Sequence, residues 1–469
     1  MPAMHTNNTH IQPNAKMVHR LQANSITRTG KKEERGSTQF LNNKQVRAKD
    51  MRVYVKSFGC SANFAEGEII KGKFSEKGSI VDNADNADTI LLNICTVKGD
   101  KTALEQVRKL RAKYPQKKLA IAGCITPSIA ESIKKIDNAT TLVNTHNILN
   151  IVDLVNTNTD ALSKGKPIKL MQPRIRTTRS VGIIPISSGC LDACAFCSTR
   201  IVKGTLFSYP AETIEREVKA CVEDGCKEIW ITGQDTCCYG FDRKTNLAQL
   251  LKRLVEIPGN FKIRVGMGNP RHLPKYLEEF IEIMKHPKMF KFAHIPVQAG
   301  NDQVLKAMRR GHNVAQFKNI AKKLRCEIPE ITLSTDIIVG YPTETEEQFQ
   351  DTLSLCKQVQ FDIINISRFS PRPGTLAASM EGQVHGNIKK KRSRELTALQ
   401  MKIQKERNQK WIGWKGEIIV SKKVKGGVSG RNYAYKSVFI PSQLEPGDIV
   451  KAKITDAKEK FLKAELIEE

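Results

Sequence analysis

Between Val181 and Phe369 the sequence alternates six times between short apolar runs and helical stretches, and this alternation restricts the fold more than any other feature. The expected strands are Ile183–Ser187, Glu228–Thr232, Lys262–Met267, Phe292–Val297, Thr332–Val339 and Asp362–Phe369. Helical periodicity lies between them, as at Glu212–Asp224, Leu247–Ile257, Pro274–Lys285, Val314–Leu324 and Thr345–Gln358. Neighbouring parallel strands need a long crossover, usually a helix. Six consecutive units of this kind predict a parallel α/β barrel, incomplete at six strands.

Directly after the first expected strand comes Ser188-Gly189-Cys190-Leu191-Asp192-Ala193-Cys194-Ala195-Phe196-Cys197. This places three thiols, spaced Cys-x3-Cys-x2-Cys, at the carboxyl-terminal mouth where barrel chemistry sits. A loop this tight can aim three sulfurs at one centre, but it offers only three. Structural zinc needs a closed shell of four ligands, and an ordinary cubane iron–sulfur cluster takes four cysteines. The loop therefore suits a [4Fe–4S] cluster with one iron open to a non-protein ligand. A zinc loop completed by a distant Cys or His is the alternative.

A second parallel α/β pattern precedes it. Arg52–Lys56 alternates like a strand and runs into Cys60, and a helical stretch follows near Glu66–Lys77. The apolar run Thr89–Ile94 ends at Cys95, and after a basic helix around Ala103–Lys113 the run Leu119–Gly123 ends at Cys124. Three expected strands thus each end in a cysteine at the carboxyl edge, where open parallel sheets bind ligands. Free cysteine is often simply buried, so core packing competes with a second three-thiolate iron–sulfur site. Recurrence at three equivalent positions favours the metal site.

Lysine and arginine number 76 against 48 acids, a formal charge of +28. Such an excess points to a polyanionic partner, most simply nucleic acid; a generally basic proteome would also produce it. The twelve cysteines, with no secretory hydrophobic region before them, point to a reducing compartment. No apolar stretch approaches the roughly 18–20 residues that span a bilayer. A soluble, cytoplasmic protein without membrane association is expected.

Residues 1–50 read as a disordered basic arm, with Lys31-Lys32 and Arg47-Ala48-Lys49 typical of it. A solvated tail is the simpler reading of it than an RNA-holding arm. Residues 51–155 form the first α/β domain and 156–180 a linker rich in Asn, Thr, Lys and Arg. The barrel core occupies 181–386 and a basic helix 387–409. Short strands near Glu417–Val420, Ser437–Ile440, Ile449–Ile454 and Phe461–Leu466, with turns at Gly426-Gly427 and Pro446-Gly447, make 410–469 a small β-barrel. Such barrels often bind oligonucleotides. Lys422, Lys423, Lys425, Arg431 and Lys436, interleaved with Tyr433 and Tyr435 and near Trp411 and Trp414, are its candidate RNA contacts. A solvated basic face over core aromatics is the alternative.

With these residues in place, residues 51 onward resemble the radical S-adenosylmethionine (SAM) methylthiotransferases. The resemblance is to the archaeal and eukaryotic branch acting on N6-threonylcarbamoyladenosine (t6A) at position 37 of tRNA. It rests on Phe58-Gly59-Cys60-Ser61-Ala62-Asn63, Leu92-Asn93-Ile94-Cys95-Thr96-Val97-Lys98, Ala122-Gly123-Cys124 and the Cys190–Cys197 loop. It rests also on His294-Ile295-Pro296-Val297-Gln298, Thr335-Asp336-Ile337-Ile338-Val339-Gly340-Tyr341-Pro342, Ser370-Pro371-Arg372-Pro373-Gly374-Thr375 and a tail similar to a TRAM domain. Any one segment is weak; their order and joint presence are specific.

The resemblance implies two [4Fe–4S] clusters, one on Cys60, Cys95 and Cys124 and one on Cys190, Cys194 and Cys197. It implies SAM as both methyl donor and radical source. Reductive cleavage of SAM releases a 5′-deoxyadenosyl radical that takes hydrogen from C2 of the adenine ring, and a methylated sulfur on the first cluster joins the substrate radical. An unactivated aromatic C–H bond calls for such a cofactor. Expected partners are tRNA carrying t6A37, whose single-stranded loop lets a base be splayed out, and an electron donor. Eukaryotic members of the branch often carry a C-terminal membrane anchor; this chain ends with its small barrel, so none is expected.

Gln234 and Asp235 follow the strand at the position where the superfamily contacts the SAM amino group, usually with Glu. Asp336, in an apolar strand, is costly to bury unpaired, and either SAM ribose or a barrel cation would partner it. Arg368 would neutralise the SAM carboxylate or a substrate acid, or make a barrel salt bridge. His294 reads as a satisfied core histidine. Cys221, Cys226, Cys237, Cys238, Cys326 and Cys356 are assigned no role. Two other readings remain: methylthiolation of a ribosomal protein side chain, in a branch with a less basic tail, and a non-catalytic, zinc-stabilised RNA-binding protein.

Overall fold

The computed structural model describes residues 51–95 and 100–467, so the arm expected over 1–50 lies outside the described residues, as does Thr96-Val97-Lys98. Five parallel strands build the first layer: β1 (Arg52–Ser57), β2 (Ser79–Ile80), β3 (Thr89–Ile94), β4 (Lys118–Gly123) and β5 (Thr141–Asn144), in the order β2-β1-β3-β4-β5. Every residue of β3 is buried, because period-two alternation sends Ile90, Leu92 and Ile94 to one helical layer and Leu91 to the other. Helices Asp100–Lys113 and Pro127–Ile136 cover the first face, Ser61–Ser75 and Ile151–Asn156 the second. The helix expected near Glu66 begins five residues earlier, with Cys60 as its N-cap.

The barrel strands are β6 (Val181–Pro185), β9 (Glu228–Thr232), β10 (Lys262–Val265), β11 (Phe292–His294), β12 (Thr332–Val339) and β13 (Ile363–Arg368). A two-stranded ribbon, β7 (Ser187–Ser188) with β8 (Phe207–Ser208), flanks the cysteine loop. Sheets β10-β9-β6 and β11-β12-β13 meet through a parallel bridge between Ile263 and Met289. The six strands therefore run in sequence order with β6 and β13 at the edges, the incomplete barrel that the alternation predicted.

Composition marks 156–180 as a linker, yet the segment is packed. Lys169 and Leu170 are buried, Arg174 pairs with Glu217, and the Glu68 carboxylate accepts the Thr177 amide at 2.9 Å. Local sequence shows the polar residues but not the buried acids that bind them.

The C-terminal strands β14 (Lys415–Val424), β15 (Gly427–Arg431), β16 (Ser437–Ile440), β17 (Ile449–Ala457) and β18 (Leu462–Leu466) close into a barrel, β14-β15-β16-β18-β17. Tyr435 docks this barrel against Phe290 and Phe292, with both ring centroids at 4.9 Å. Buried Asp362 binds Arg407 at 2.6 Å, Lys436 at 2.7 Å and Arg325 at 3.3 Å, joining the basic helix Gly386–Gln409, the small barrel and the core. These contacts lie at the amino-terminal ends of β11 and β13, opposite the mouth that carries the cysteine loop. Breaking a buried ion pair of this kind costs about 3–5 kcal/mol.

Candidate metal and cofactor centre

Cys190, Cys194 and Cys197 sit half-buried on the loop between β7 and helix Thr199–Lys203. Gly189 permits the approach: its φ is +78°, and a Cβ there would lie 2.1 Å from the Thr205 carbonyl oxygen. Arg200 draws the Cys190, Leu191 and Asp192 carbonyls together at 2.6, 3.1 and 3.0 Å. The Cys197 amide bonds the Cys194 carbonyl at 3.1 Å, and the Ala195 amide bonds the Met308 carbonyl at 3.0 Å. The Arg310 guanidinium donates to the Cys194 sulfur at 3.3 Å. Burial nevertheless pushes the Cys194 thiol up to about 11.

Around the loop lies a polar shell that the motif reading missed. Asp192 accepts from Asn269 at 2.6 Å, His272 at 2.8 Å and Arg271 at 2.7 Å. Against the cost of burial, His272 and the two arginines Arg271 and Arg310 hold its carboxyl below the usual range. Arg310 also donates to the Asn269 side chain at 2.9 Å and the Pro296 carbonyl at 3.0 Å. The only sequence hint was polar Asn269-Pro270-Arg271-His272 directly beyond a strand end. Cys238 meets the Cys190 thiol, which places one of the unassigned cysteines beside the loop.

The other expected site residues divide. The Gln234 side chain accepts the Gly189 amide at 2.8 Å and so braces the loop. Asp235, fully buried, accepts the Cys237 and Asn269 amides at 3.0 and 2.8 Å. Burial raises its carboxyl, and one oxygen has no hydrogen-bond partner, with the His272 ring nitrogen 3.9 Å away. Asp336 accepts through one oxygen from both His294 at 2.8 Å and Asn365 at 2.7 Å. Arg368 is exposed at the end of β13.

Unpartnered buried atoms on Asp235, Gln298, Arg310 and His312 come from loops at this end of the barrel. Leaving such groups unmade is costly, so a polar ligand beside the loop satisfies a need already present. Three thiols with this surround fit a three-thiolate cluster and a bound SAM.

The second trio converges from three strand ends. Cys60 and Cys95 sulfurs lie 3.9 Å apart, and the pairing of Ile94 with Gly123 sets Cys124 beside Cys95. Gly123, at φ +98°, allows the turn; a Cβ there would meet the Ile94 carbonyl oxygen at 2.4 Å. The bond from Cys95 brings the Cys60 thiol down to about 7, whereas Cys95 and burial push Cys124 well up. Cys60 opens on a cavity of about 380 Å³ walled by Phe64, Glu68, Thr177, Ile183 and Trp230. Cys60 thus faces open space, while Cys95 and Cys124 are buried.

On the small barrel, Lys422, Lys423 and Lys425 are exposed at the β14–β15 turn, with Lys423 paired to Glu445. Arg431 lies over the Tyr435 ring at 4.6 Å. Lys436 corrects the expectation of a surface contact: it is buried, bonded to Asp362 and Asn408 at 2.7 and 3.1 Å. Tyr435 and Trp411 are core, because their rings fill the docking face and the barrel interior.

A three-cysteine loop at the carboxyl mouth of an open parallel barrel is the arrangement of radical SAM proteins, and the Radical SAM superfamily profile matches residues 184–356. The fold is similar to that of a radical S-adenosylmethionine methyltransferase, TsrM, from Kitasatospora setae, with a TM-score of 0.51 at 10% identity over 70% of this chain and 77% of that one. "Uncharacterized protein family UPF0004" matches residues 52–144 and the TRAM domain residues 417–467. The chain is 36% identical to a probable threonylcarbamoyladenosine tRNA methylthiotransferase of Methanothermobacter thermautotrophicus, covering 88% of this chain and 99% of the relative. To the Pyrococcus horikoshii protein of the same description it is 37% identical, covering 89% and 100%. To the human threonylcarbamoyladenosine tRNA methylthiotransferase it is 33% identical, covering 88% and 74%. The chain belongs to the threonylcarbamoyladenosine tRNA methylthiotransferase family.

Proposed function

We propose that this chain is a tRNA methylthiotransferase that places a methylthio group on C2 of the adenine ring of t6A at position 37. The observation that carries this reading is the pair of cysteine trios, one on a single loop at the barrel mouth and one at the ends of three adjacent parallel strands, in one chain of this family. When bound, two [4Fe–4S] clusters and SAM supply the one-electron chemistry that exchanges an aromatic C–H for a C–S bond. Cys190, Cys194 and Cys197 would hold one cluster, and Cys60, Cys95 and Cys124 the other. Gln234 fixes the loop backbone, and the Asp235 and Gln298 oxygens that lack a hydrogen-bond partner would hold the SAM amino group. Arg368 is free in position to meet a carboxylate, and Asp336, oriented by His294, to meet a ribose hydroxyl.

Exposed Lys422, Lys423 and Lys425, with Arg431, bind tRNA phosphates. Because the small barrel docks opposite the mouth, it anchors the tRNA body while the anticodon loop reaches the cysteines. The partners are tRNA and an electron donor, and the twelve free cysteines suit a reducing compartment, the cytoplasm. Nucleoside mass spectrometry of tRNA from a deletion strain without a paralogue tests the reading. Loss of methylthio-t6A is expected, and its persistence overturns the assignment. About eight irons per chain after anaerobic reconstitution are expected for two cubanes; a zinc-only protein overturns the enzymatic reading.

A further inference from the structure

Beneath the strand-end trio lies a charged group that nothing in the proposed chemistry uses. Glu66, in helix Ser61–Ser75, accepts from Lys169 at 2.6 Å, Lys203 at 2.6 Å and Thr145 at 2.6 Å through a single oxygen. Thr145 in turn accepts from Lys169 at 2.8 Å and Lys203 at 2.5 Å. Both lysine side chains are about 95% buried, at 4% and 5% exposure, and Glu66 is as deep. The second Glu66 oxygen has no partner. Two ammoniums against one carboxylate leave one positive charge far from water.

Isolated buried charge is among the most expensive features a fold can carry. Some negative charge must offset it, and the nearest source is the trio. The Thr145 amide bonds the Gly123 carbonyl at 2.8 Å, one residue before Cys124. Lys203 acts electrostatically on Cys60 and Cys124. A cubane in its usual 2+ state on three thiolates carries a net charge of −1, and an anionic sulfur on the open iron makes it more negative.

We infer that the Lys203–Lys169–Glu66 group supplies the counter-charge of the Cys60/Cys95/Cys124 centre, and by doing so raises that centre's reduction potential. This inference rests on the proposed reading that the trio holds a cluster. Adding one electron to the centre adds one negative charge, and a fixed cation in a low-dielectric interior favours the reduced form. Lys203 comes from the barrel side: it ends the helix Thr199–Lys203, which starts two residues after Cys197, and the Val202 carbonyl is held by His146 at 2.8 Å. The short segment from Cys197 to Lys203 therefore carries the last cysteine of the loop trio and the counter-charge of the other. Lys203 and Lys169 are positioning residues for charge; they touch no substrate.

The test uses the full chain with Cys190, Cys194 and Cys197 changed to Ala, so that only the strand-end cluster is loaded, and an EPR-monitored dithionite titration. Lys203→Met and Lys169→Met should each shift the midpoint to lower potential, while Lys203→Arg stays near the parent. Unchanged midpoints in both Met variants overturn the inference. An equal fall in Lys203→Arg overturns it too, because mere disruption of packing then accounts for the shift. Should Lys203→Met fail to retain iron, Lys169→Met and Lys203→Arg decide between the same outcomes. A parent that binds no iron at all overturns the proposed reading along with this one, whereas a loaded cluster with an unmoved midpoint overturns this inference alone.

Discussion

The two cysteine trios reach similar ends by opposite routes. Cys190, Cys194 and Cys197 are neighbours in sequence, and one loop clamped by Arg200 and Asp192 suffices to assemble them. Cys60, Cys95 and Cys124 share nothing locally; parallel register in β1, β3 and β4 delivers them to one edge. Their surroundings differ as well. The loop trio has a rim of polar side chains with free hydrogen-bonding capacity, suited to a ligand that comes and goes. The strand-end trio has a cavity beside Cys60, and the buried Lys203–Lys169–Glu66 group is linked to it through Thr145 and Gly123. Local assembly leaves room for ligand recognition, and long-range assembly ties a metal site to the integrity of a whole sheet.

The sharpest way to break this comparison is to remove one ligand from each trio. Cys190→Ala should abolish both 5′-deoxyadenosine release and tRNA methylthiolation, whereas Cys124→Ala should abolish methylthiolation and spare SAM cleavage. Equal SAM cleavage in wild type and Cys190→Ala would mean the loop is not the radical centre. Next in size is Asp192→Ala, which strips Asn269, His272 and Arg271 of their acceptor. A loss of about 3 kcal/mol in chemical denaturation is expected, with iron lost from the loop trio and retained by the other.

A pH experiment separates the charge beneath the strand-end trio. Burial opposes ionisation of Glu66, but Lys169 and Lys203 bring its carboxyl down to about 2 from 4.5. A lowered carboxyl contributes stability that is complete above the unfolded value and is lost as pH falls from 4.5 towards 2. The contribution is on the order of 3 kcal/mol. Apoprotein stability should therefore fall more steeply across that window in wild type than in Glu66→Gln, and parallel curves would count against the ion group.

The glycines offer a matched pair. Ala at Gly189 or Gly123 meets backbone oxygen at 2.1 or 2.4 Å with φ positive, at a cost of about 1–3 kcal/mol. Each variant should retain about four of eight irons, lost from its own trio only. The smallest effect lies away from both trios: changing Lys422, Lys423 and Lys425 to Gln should lower the salt slope of tRNA binding by about 3 with iron content unchanged.

Much of this architecture is legible in the sequence. Strand–helix alternation with crossover-length helices dictates parallel pairing, so six units from Val181 to Phe369 announced the open barrel. Glu228–Thr232 and Thr332–Val339 fall where their apolar runs place them. The cysteine loop was equally legible, because its ligands are eight residues from end to end and carry their own spacing. Strand ends at Cys60, Cys95 and Cys124 pointed to a shared edge through the same topology rule.

What only the tertiary structure decided is the company these residues keep. Lys436 sits among lysines and tyrosines that look like a nucleic-acid surface, yet Asp362, far away in sequence, draws it into the interior. The 156–180 segment has a linker's composition but is held by Glu66, Glu68 and Glu217 from elsewhere in the fold. Asp192 and Arg310 gain their roles only when barrel loops converge. Backbone pattern and ligand spacing are encoded locally, since hydrophobic period and tight turns act over a few residues. The sign and burial of a charge's partner depend on contacts between distant segments, and no window of the sequence contains both.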